Sequence, residues 1–268
     1  MISSKNLKFL ENNPHYEHGM NKYKEIIDEL KINYPKVIEI GGGKHPLYPS
    51  HENFTVNDID PNELSFIKNY KTALFDVCGE IPLEHHGKYD LVISKMVLEH
   101  VPDGKKYYEN LKILLSKGGL GLTYHPTLYS LPFVANLLLP ETIGNFIFYL
   151  LYRTKNKIKL EDNKIKVNKF KAHYSYCFST KRNINKIKKI GFSDVKIIGL
   201  YGHPYYKRFP IIQKIHEKIT KFLIKKKYRS FSSYAYTVVE KSLKVYGKDI
   251  NWNLVWIKFL MIKNIKIP

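Results

Sequence analysis

Apolar residues recur at two different spacings along this chain, and the changes between them mark out its elements. Residues 18–33, HGMNKYKEIIDELKIN, set Met20, Ile26, Ile27 and Leu30 at helical spacing and stop before Pro35. Val37 to Ile40 is apolar apart from Glu39 and reads as a buried strand running into three glycines. A second short strand runs from Phe54 to Asp58, and Pro61 then opens a helix with Asp60 as its N-cap. TALFDV, ending at Asp76, and YDLVIS are predicted third and fourth strands, VPDGKKYYENLKILLSKGG a helix closed by Gly118 and Gly119, and LGLTYHP a fifth strand. Far downstream, STKRNINKIKKIGFSDVKIIGLY reads as helix, glycine stop and strand, and residues 232–241 alternate as a last strand. Strands alternating with helices predict an α/β protein with a Rossmann-like, doubly wound, mostly parallel sheet. Ligands of such sheets bind at the carboxyl ends of the strands, where the polar residues just named fall.

Two stretches do not follow this rhythm. The expected organisation is an N-terminal helical segment (1–36), a core (37–124), a helical insertion over the substrate (125–178), the rest of the core (179–241) and an aromatic, basic tail (242–268). A second, basic helical insertion occupies 202–231. Residues 131–153 are long enough to span a bilayer, but Pro140-Glu141 and Gly144 break them into two short apolar helices. Phe209, Ile212, Ile215, Ile219 and Phe222 fall on one helical face, with Lys214, Lys218, Lys221 and Lys225 on another.

Charge sharpens the contrast. The net charge is +20, yet residues 1–150 hold 15 basic and 18 acidic side chains, whereas 151–268 hold 29 and 6. Such asymmetry points to a polyanionic partner for the second half, an anionic membrane surface or, as the alternative, nucleic acid. The tail NWNLVWIKFLMIKNIK interleaves Trp252, Trp256 and Phe259 with lysines, as an interfacial anchor does. Only two cysteines, Cys78 and Cys177, are present, which excludes a disulfide framework. No His/Asp/Cys spacing argues for a bound metal, and no apolar core near the N-terminus suggests a signal peptide. The expected location is cytoplasmic, with peripheral contact to the inner face of the membrane.

Glycines directly after a strand allow a tight turn and let a ligand approach main-chain N–H groups. Glu39 and Asp58 lie 19 residues apart, near the spacing expected between such a turn and a ribose-binding acid. Taken alone this suits a nicotinamide dinucleotide as well. The run from Val37 to His125, however, resembles the class I S-adenosylmethionine-dependent methyltransferases of small molecules and sugars. VIEIGGGKHP is similar to that family's first motif, NDIDPNEL to its ribose turn and LFDVCGEIPL to its adenine turn. KYDLVISKMVLEHVPD and LLSKGGLGLTYHP are similar to its fourth- and fifth-strand segments. The resemblance implies S-adenosylmethionine as cofactor, its methionine end against Gly41, Gly42 and Gly43 and its amino group oriented by Glu39. Asp58 would hold the ribose hydroxyls with Ile59 alongside, Asp76 and the Val77 amide the adenine, and Ser94 or Lys95 would border the methionine. His45 stands where the family often has a third glycine, and is expected to cap the loop.

Transfer to a hydroxyl needs a group that removes a proton. His100, beyond the fourth strand, and His125, after the fifth, are the candidate bases; Glu99 and Tyr124 are weaker ones. His85-His86 reads as a solvated loop pair. The fourth strand is followed by ISKMVLEH rather than an Asn/Asp-Pro-Pro-aromatic run, and neither cysteine follows a proline, which removes the main nucleic-acid base chemistries. Abundant tyrosine and phenylalanine around the insertions suit stacking on sugars as well as on bases. The expected reaction is O-methylation of a small-molecule or glycan acceptor of surface-polysaccharide assembly, with RNA or another small metabolite as the alternative acceptor.

Overall fold

The computed structural model describes residues 4–128, 172–204 and 210–243. Its seven strands form one sheet in the order β3-β2-β1-β4-β5-β7-β6. β1 (Val37–Ile40), β2 (Phe54–Asp58), β3 (Lys71–Leu74), β4 (Tyr89–Lys95) and β5 (Leu115–Pro126) pair in parallel, whereas β7 (Tyr234–Lys241) runs antiparallel to both β5 and β6 (Phe192–Leu200). The expected Rossmann-like, mostly parallel sheet is therefore what forms. The order reverses between β1 and β4, so the crevice outside the sheet opens where Ile40 faces Ser94 in register.

Helices α1 (Lys5–Asn12) and α2 (Tyr16–Lys31) precede the sheet, α3 (Pro61–Ser65) follows β2, α4 (Gly104–Leu114) links β4 to β5, and α5 (Lys181–Lys188) leads into β6. A last helix, α6 (Pro210–Lys226), stands between β6 and β7. Asp60 caps α3, its carboxylate accepting from the Asn62 amide, as the sequence led one to expect. Helix α1 falls within the helical segment expected at 1–36, although the pattern did not mark it as a separate helix. Its N-cap Ser4 hydroxyl accepts from the Leu7 amide and donates to Glu29 on α2, and Leu7 and Leu10 enter the same core as Val37 and Ile38. The first 36 residues thus share the sheet's core.

Two boundaries differ from expectation. Helix α4 ends at Leu114, and Gly118 and Gly119 lie within β5 rather than closing the helix. There Tyr89 faces Leu115 while Leu91 faces Leu120, so residues 116–119 bulge out of register and Gly118 adopts φ +75°. The glycines serve the bulge, because Leu115 is already extended. Strand β3 ends at Leu74, leaving Asp76 in the following turn. The apolar helices expected at 131–153 and the tail at 242–268, save Ser242 and Leu243, lie outside the described residues. Among the described residues no helix is long and apolar enough to cross a membrane.

Candidate active site

The turn after β1 shows what its glycines do. Gly41 and Gly43 take φ +68° and +48°, the left-handed region that side chains resist. Gly42 is needed for space, since a Cβ there would stand 2.8 Å from Val56 Cγ1 and 3.2 Å from Glu39 Cδ. The Gly42 amide donates to the Asn57 carbonyl on β2 at 3.0 Å, and the His45 amide closes back on the Gly42 carbonyl at 3.1 Å. The His45 side chain is exposed beside this turn.

Glu39 is buried beneath the glycines. Its Oε2 accepts from the Leu47 amide at 2.8 Å. Burial raises its pKa from 4.5 to about 7, against opposing pulls from that amide and from Lys95. A cation brought against this carboxyl would favour its ionised form.

Asp58 ends β2 half-exposed, its Oδ1 accepting from the Asp60 amide at 2.9 Å, and its Oδ2 stands 3.1 Å from where a Gly43 Cβ would be. A side chain at position 43 would thus press on the Asp58 carboxylate, which glycine leaves open. Ile59 beside it is 61% exposed, an apolar side chain left open at this edge. Asp76 is exposed, and its Oδ1 accepts from the Cys78 amide at 2.8 Å in a turn that Gly79 closes; Val77 is buried behind it. The Gly-Gly-Gly loop, Asp58 and the Asp76 turn thus line up along the carboxyl edges of β1, β2 and β3.

Two asparagines that the sequence did not single out fix this row. Asn57 Nδ2 donates to the Ala73 and Phe75 carbonyls at 2.8 and 3.0 Å, tying β2 to the chain just before Asp76. Asn110 on α4 donates to the Val77 and Gly79 carbonyls at 2.8 and 2.7 Å, pinning the Asp76 turn from the other direction. Both side chains are buried, so their amides do for irregular backbone what a strand partner would do.

The residues after β4 and β5 form the second half of the site. Ser94 is buried, with its hydroxyl 2.6 Å from Tyr107 Oη, which in turn lies 3.0 Å from Thr123 Oγ1. Lys95 is exposed, with Nζ 5.3 Å from the centroid of the Tyr23 ring. Met96 follows at φ +59° with its amide on the Tyr124 carbonyl, turning the chain sharply at the strand end.

Glu99 is the least expected member. It is 3% exposed, and among the described residues its Oε2 has no hydrogen-bond partner. Burial raises its pKa to about 8. His100 Nε2, on a half-exposed ring, lies 3.8 Å from Glu99 Oε1. The Glu99 carbonyl accepts from the His173 and Tyr174 amides, so the chain returns at residue 172 directly onto this loop. Tyr23 and Tyr124, whose ring centroids are 6.1 Å apart, also carry buried hydroxyls without partners among the described residues.

His125 occupies a different environment from its sequence counterpart His100. It is fully buried on β5, with Nδ1 2.9 Å from the Pro126 carbonyl and Nε2 3.0 Å from Thr237 Oγ1 on β7. Burial lowers its pKa to about 4, so the ring is neutral and both nitrogens are engaged within the sheet. The loop pair is solvated only in part: His85 is buried against Tyr89, with Nδ1 2.7 Å from the Tyr89 hydroxyl, whereas His86 is exposed, with Nε2 2.9 Å from the Ile81 carbonyl. Among the described residues no group of three or more His, Cys, Asp or Glu side chains could hold a metal.

Residues 39–123 match the family model described as "Methyltransferase domain". No curated protein matches the chain. Solved structures of similar shape include an S-adenosylmethionine-dependent methyltransferase of Thermotoga maritima, described as a possible histamine N-methyltransferase (14% identity, 77% of this chain and 82% of that one, TM-score 0.48). Another is an S-adenosylmethionine-dependent methyltransferase described as putative, from Listeria monocytogenes (16% identity, 84% and 99%, TM-score 0.46). A third is phosphoethanolamine N-methyltransferase 2 of Haemonchus contortus with S-adenosyl-L-methionine (17% identity, 77% and 48%, TM-score 0.41), of which this chain spans about half. Residues 39–123, which lie on the Rossmann-like sheet, are thus similar to a methyltransferase domain.

Proposed function

We propose that this protein is an S-adenosylmethionine-dependent methyltransferase that methylates a hydroxyl of a sugar or sugar-derived acceptor, of the kind used in surface-polysaccharide assembly. The observation that carries the methyltransferase reading is the row formed by Glu39, the Gly41–Gly43 turn, Asp58 and the Asp76 turn on three adjacent strand ends. The cofactor is S-adenosylmethionine, which supplies a methyl group on a sulfonium centre already activated for displacement. Glu39 holds the amino group, the glycine turn admits the methionine chain, Asp58 takes the ribose hydroxyls, and Asp76 with the Val77 amide takes the adenine edge. Ile59 covers the adenine face.

The acceptor reading is supported by three buried polar atoms without hydrogen-bond partners among the described residues, Glu99 Oε2, Tyr23 Oη and Tyr124 Oη. A polyhydroxylated ligand offers hydrogen bonds to such groups while its apolar face lies on tyrosine rings. His100 receives the acceptor proton, and the resulting imidazolium, 3.8 Å from Glu99, is favoured in the fraction of molecules whose Glu99 is ionised. His125 keeps a structural role, because its nitrogens are already committed to β5 and β7. Aligning acceptor and methyl group supplies several kcal/mol of barrier lowering.

The experiment is a screen of methyl-donor consumption against nucleotide sugars, free glycan fragments, small amines and RNA. Turnover with a sugar acceptor that yields a methyl ether supports the reading. Turnover confined to amines or RNA overturns the acceptor assignment, and absence of donor consumption together with absence of donor binding overturns the methyltransferase role.

A further inference from the structure

Helix α6 turns an apolar stripe outward. Ile211, Ile212, Ile215, Ile219 and Phe222 are 46–76% exposed, and the only fully buried described residue of its 17 is Thr220. A surface helix of a water-soluble domain ordinarily faces its apolar stripe inward. Here the inward face carries Gln213, His216, Thr220, Leu223 and Ile224, which are buried or half-buried. The stripe continues past the helix end: Phe222 and Tyr228 have ring centroids 6.3 Å apart, Tyr228 and Phe231 6.5 Å, and both Tyr228 and Phe231 are exposed.

Beside the stripe runs a row of cations. Lys214, Lys218, Lys221 and Lys225 follow at intervals of three and four, all exposed; Lys226 ends the helix and Lys227 follows it. Glu217 is the single acid between Pro210 and Lys227. An exposed Ile/Phe face with aromatic residues at its end and lysines along its flank is the composition of helices that lie in the headgroup region of an anionic bilayer. Nucleic acid would engage the lysines but gives no reason for five exposed apolar side chains.

The helix also sits close to the edge of the sheet where the acceptor is placed. His216 on its inner face is near enough to His15 and His203 for their charges to affect one another. His203 stacks on Tyr234 at 5.6 Å, and Tyr234 stacks on Tyr124 at 5.7 Å. The geometry points to α6 as an interfacial helix that docks the protein on an anionic lipid surface with its acceptor edge toward the headgroups. This docking stands on α6 alone; only the placement of the acceptor edge rests on the function proposed above.

Sedimentation of the full chain with phosphatidylcholine vesicles, with and without phosphatidylglycerol, tests the inference. Binding to the anionic vesicles and not to the neutral ones is expected. Each lysine-to-glutamine exchange at Lys214, Lys218 or Lys221 should lower partition about fivefold, as one charge near the surface contributes. The double variant I215D/F222D should release the protein from vesicles. Because both positions are exposed, it should leave S-adenosylhomocysteine affinity unchanged, and that measurement also reports that the fold is intact. Absence of binding to anionic vesicles overturns the inference, as happens if another part of the chain or a second protein covers the stripe. Vesicle binding that I215D/F222D leaves intact, or salt-sensitive RNA binding that outcompetes vesicles, also overturns it, the latter in favour of a polyanion site.

Discussion

The pH dependence of cofactor binding tests the role of Glu39 quantitatively. In the free protein its pKa stands at about 7 rather than 4.5. An ammonium group beside it favours the carboxylate, so binding must first remove the proton from whatever fraction carries one. At pH 6 roughly ten molecules in eleven are protonated, and at pH 7.5 about one in four. If the bound state returns Glu39 to its ordinary range, affinity for S-adenosylhomocysteine rises about eightfold from pH 6 to pH 7.5. The same shift acts on folding. A carboxyl whose folded pKa is raised contributes stability fully present below its unfolded value and lost as pH rises through about 7. Glu39→Gln should therefore bind the ligand more weakly, lose the pH dependence in this window, and unfold at higher denaturant near pH 8 without ligand. The stability difference corresponds to about 3 kcal/mol at most. Titration calorimetry at the two pH values, with urea unfolding of both proteins, gives all three quantities. A wild-type affinity that is flat from pH 6 to 7.5, or that falls, refutes the reasoning.

Asp58→Ala should weaken S-adenosylhomocysteine binding by about 1.5–3 kcal/mol, the range for a hydrogen bond to a charged group, with the fold retained by circular dichroism. His100→Ala should keep cofactor affinity and lower turnover about 10²–10⁴-fold, whereas His125→Ala should lower stability first; the opposite pattern in the two variants would move the base to β5. Asn57→Leu should cost about 1–3 kcal/mol in urea unfolding, because two carbonyls lose their donor inside the sheet.

Much of the sheet could be read from local pattern. Strands β1, β2 and β4 are short β-branched runs with turn residues at their ends, and Asp60-Pro61 is a cap and first-turn pair whose mechanism is local. The antiparallel β7 was legible only as a strand: its position beside β5 depends on pairings more than 100 residues apart. The Gly118-Gly119 pair misled because a glycine with positive φ ends a helix and makes a bulge by the same freedom. Within the site, the acids and glycines stood out because ligand chemistry limits which residues can serve. Glu99 was visible as a residue but not as a buried one, since the segment at 172–174 that covers its carbonyl is remote in sequence. His125 and His100 look alike in the sequence, and only the pairing of β5 with β7 separates a strand-locked imidazole from one at the cleft. The outward face of α6 was equally hidden, because amphipathic spacing gives the stripe but not the side it faces.

The central claim is that the turn after β1 and the acid ending β2 hold S-adenosylmethionine rather than a nicotinamide dinucleotide, which the same spacing would also admit. Titrating the purified full chain with S-adenosylhomocysteine and, separately, with NAD tests it most directly. One-to-one binding of S-adenosylhomocysteine that Asp58→Ala weakens, with no heat from NAD, is the predicted result; saturable NAD binding with none of S-adenosylhomocysteine would contradict it.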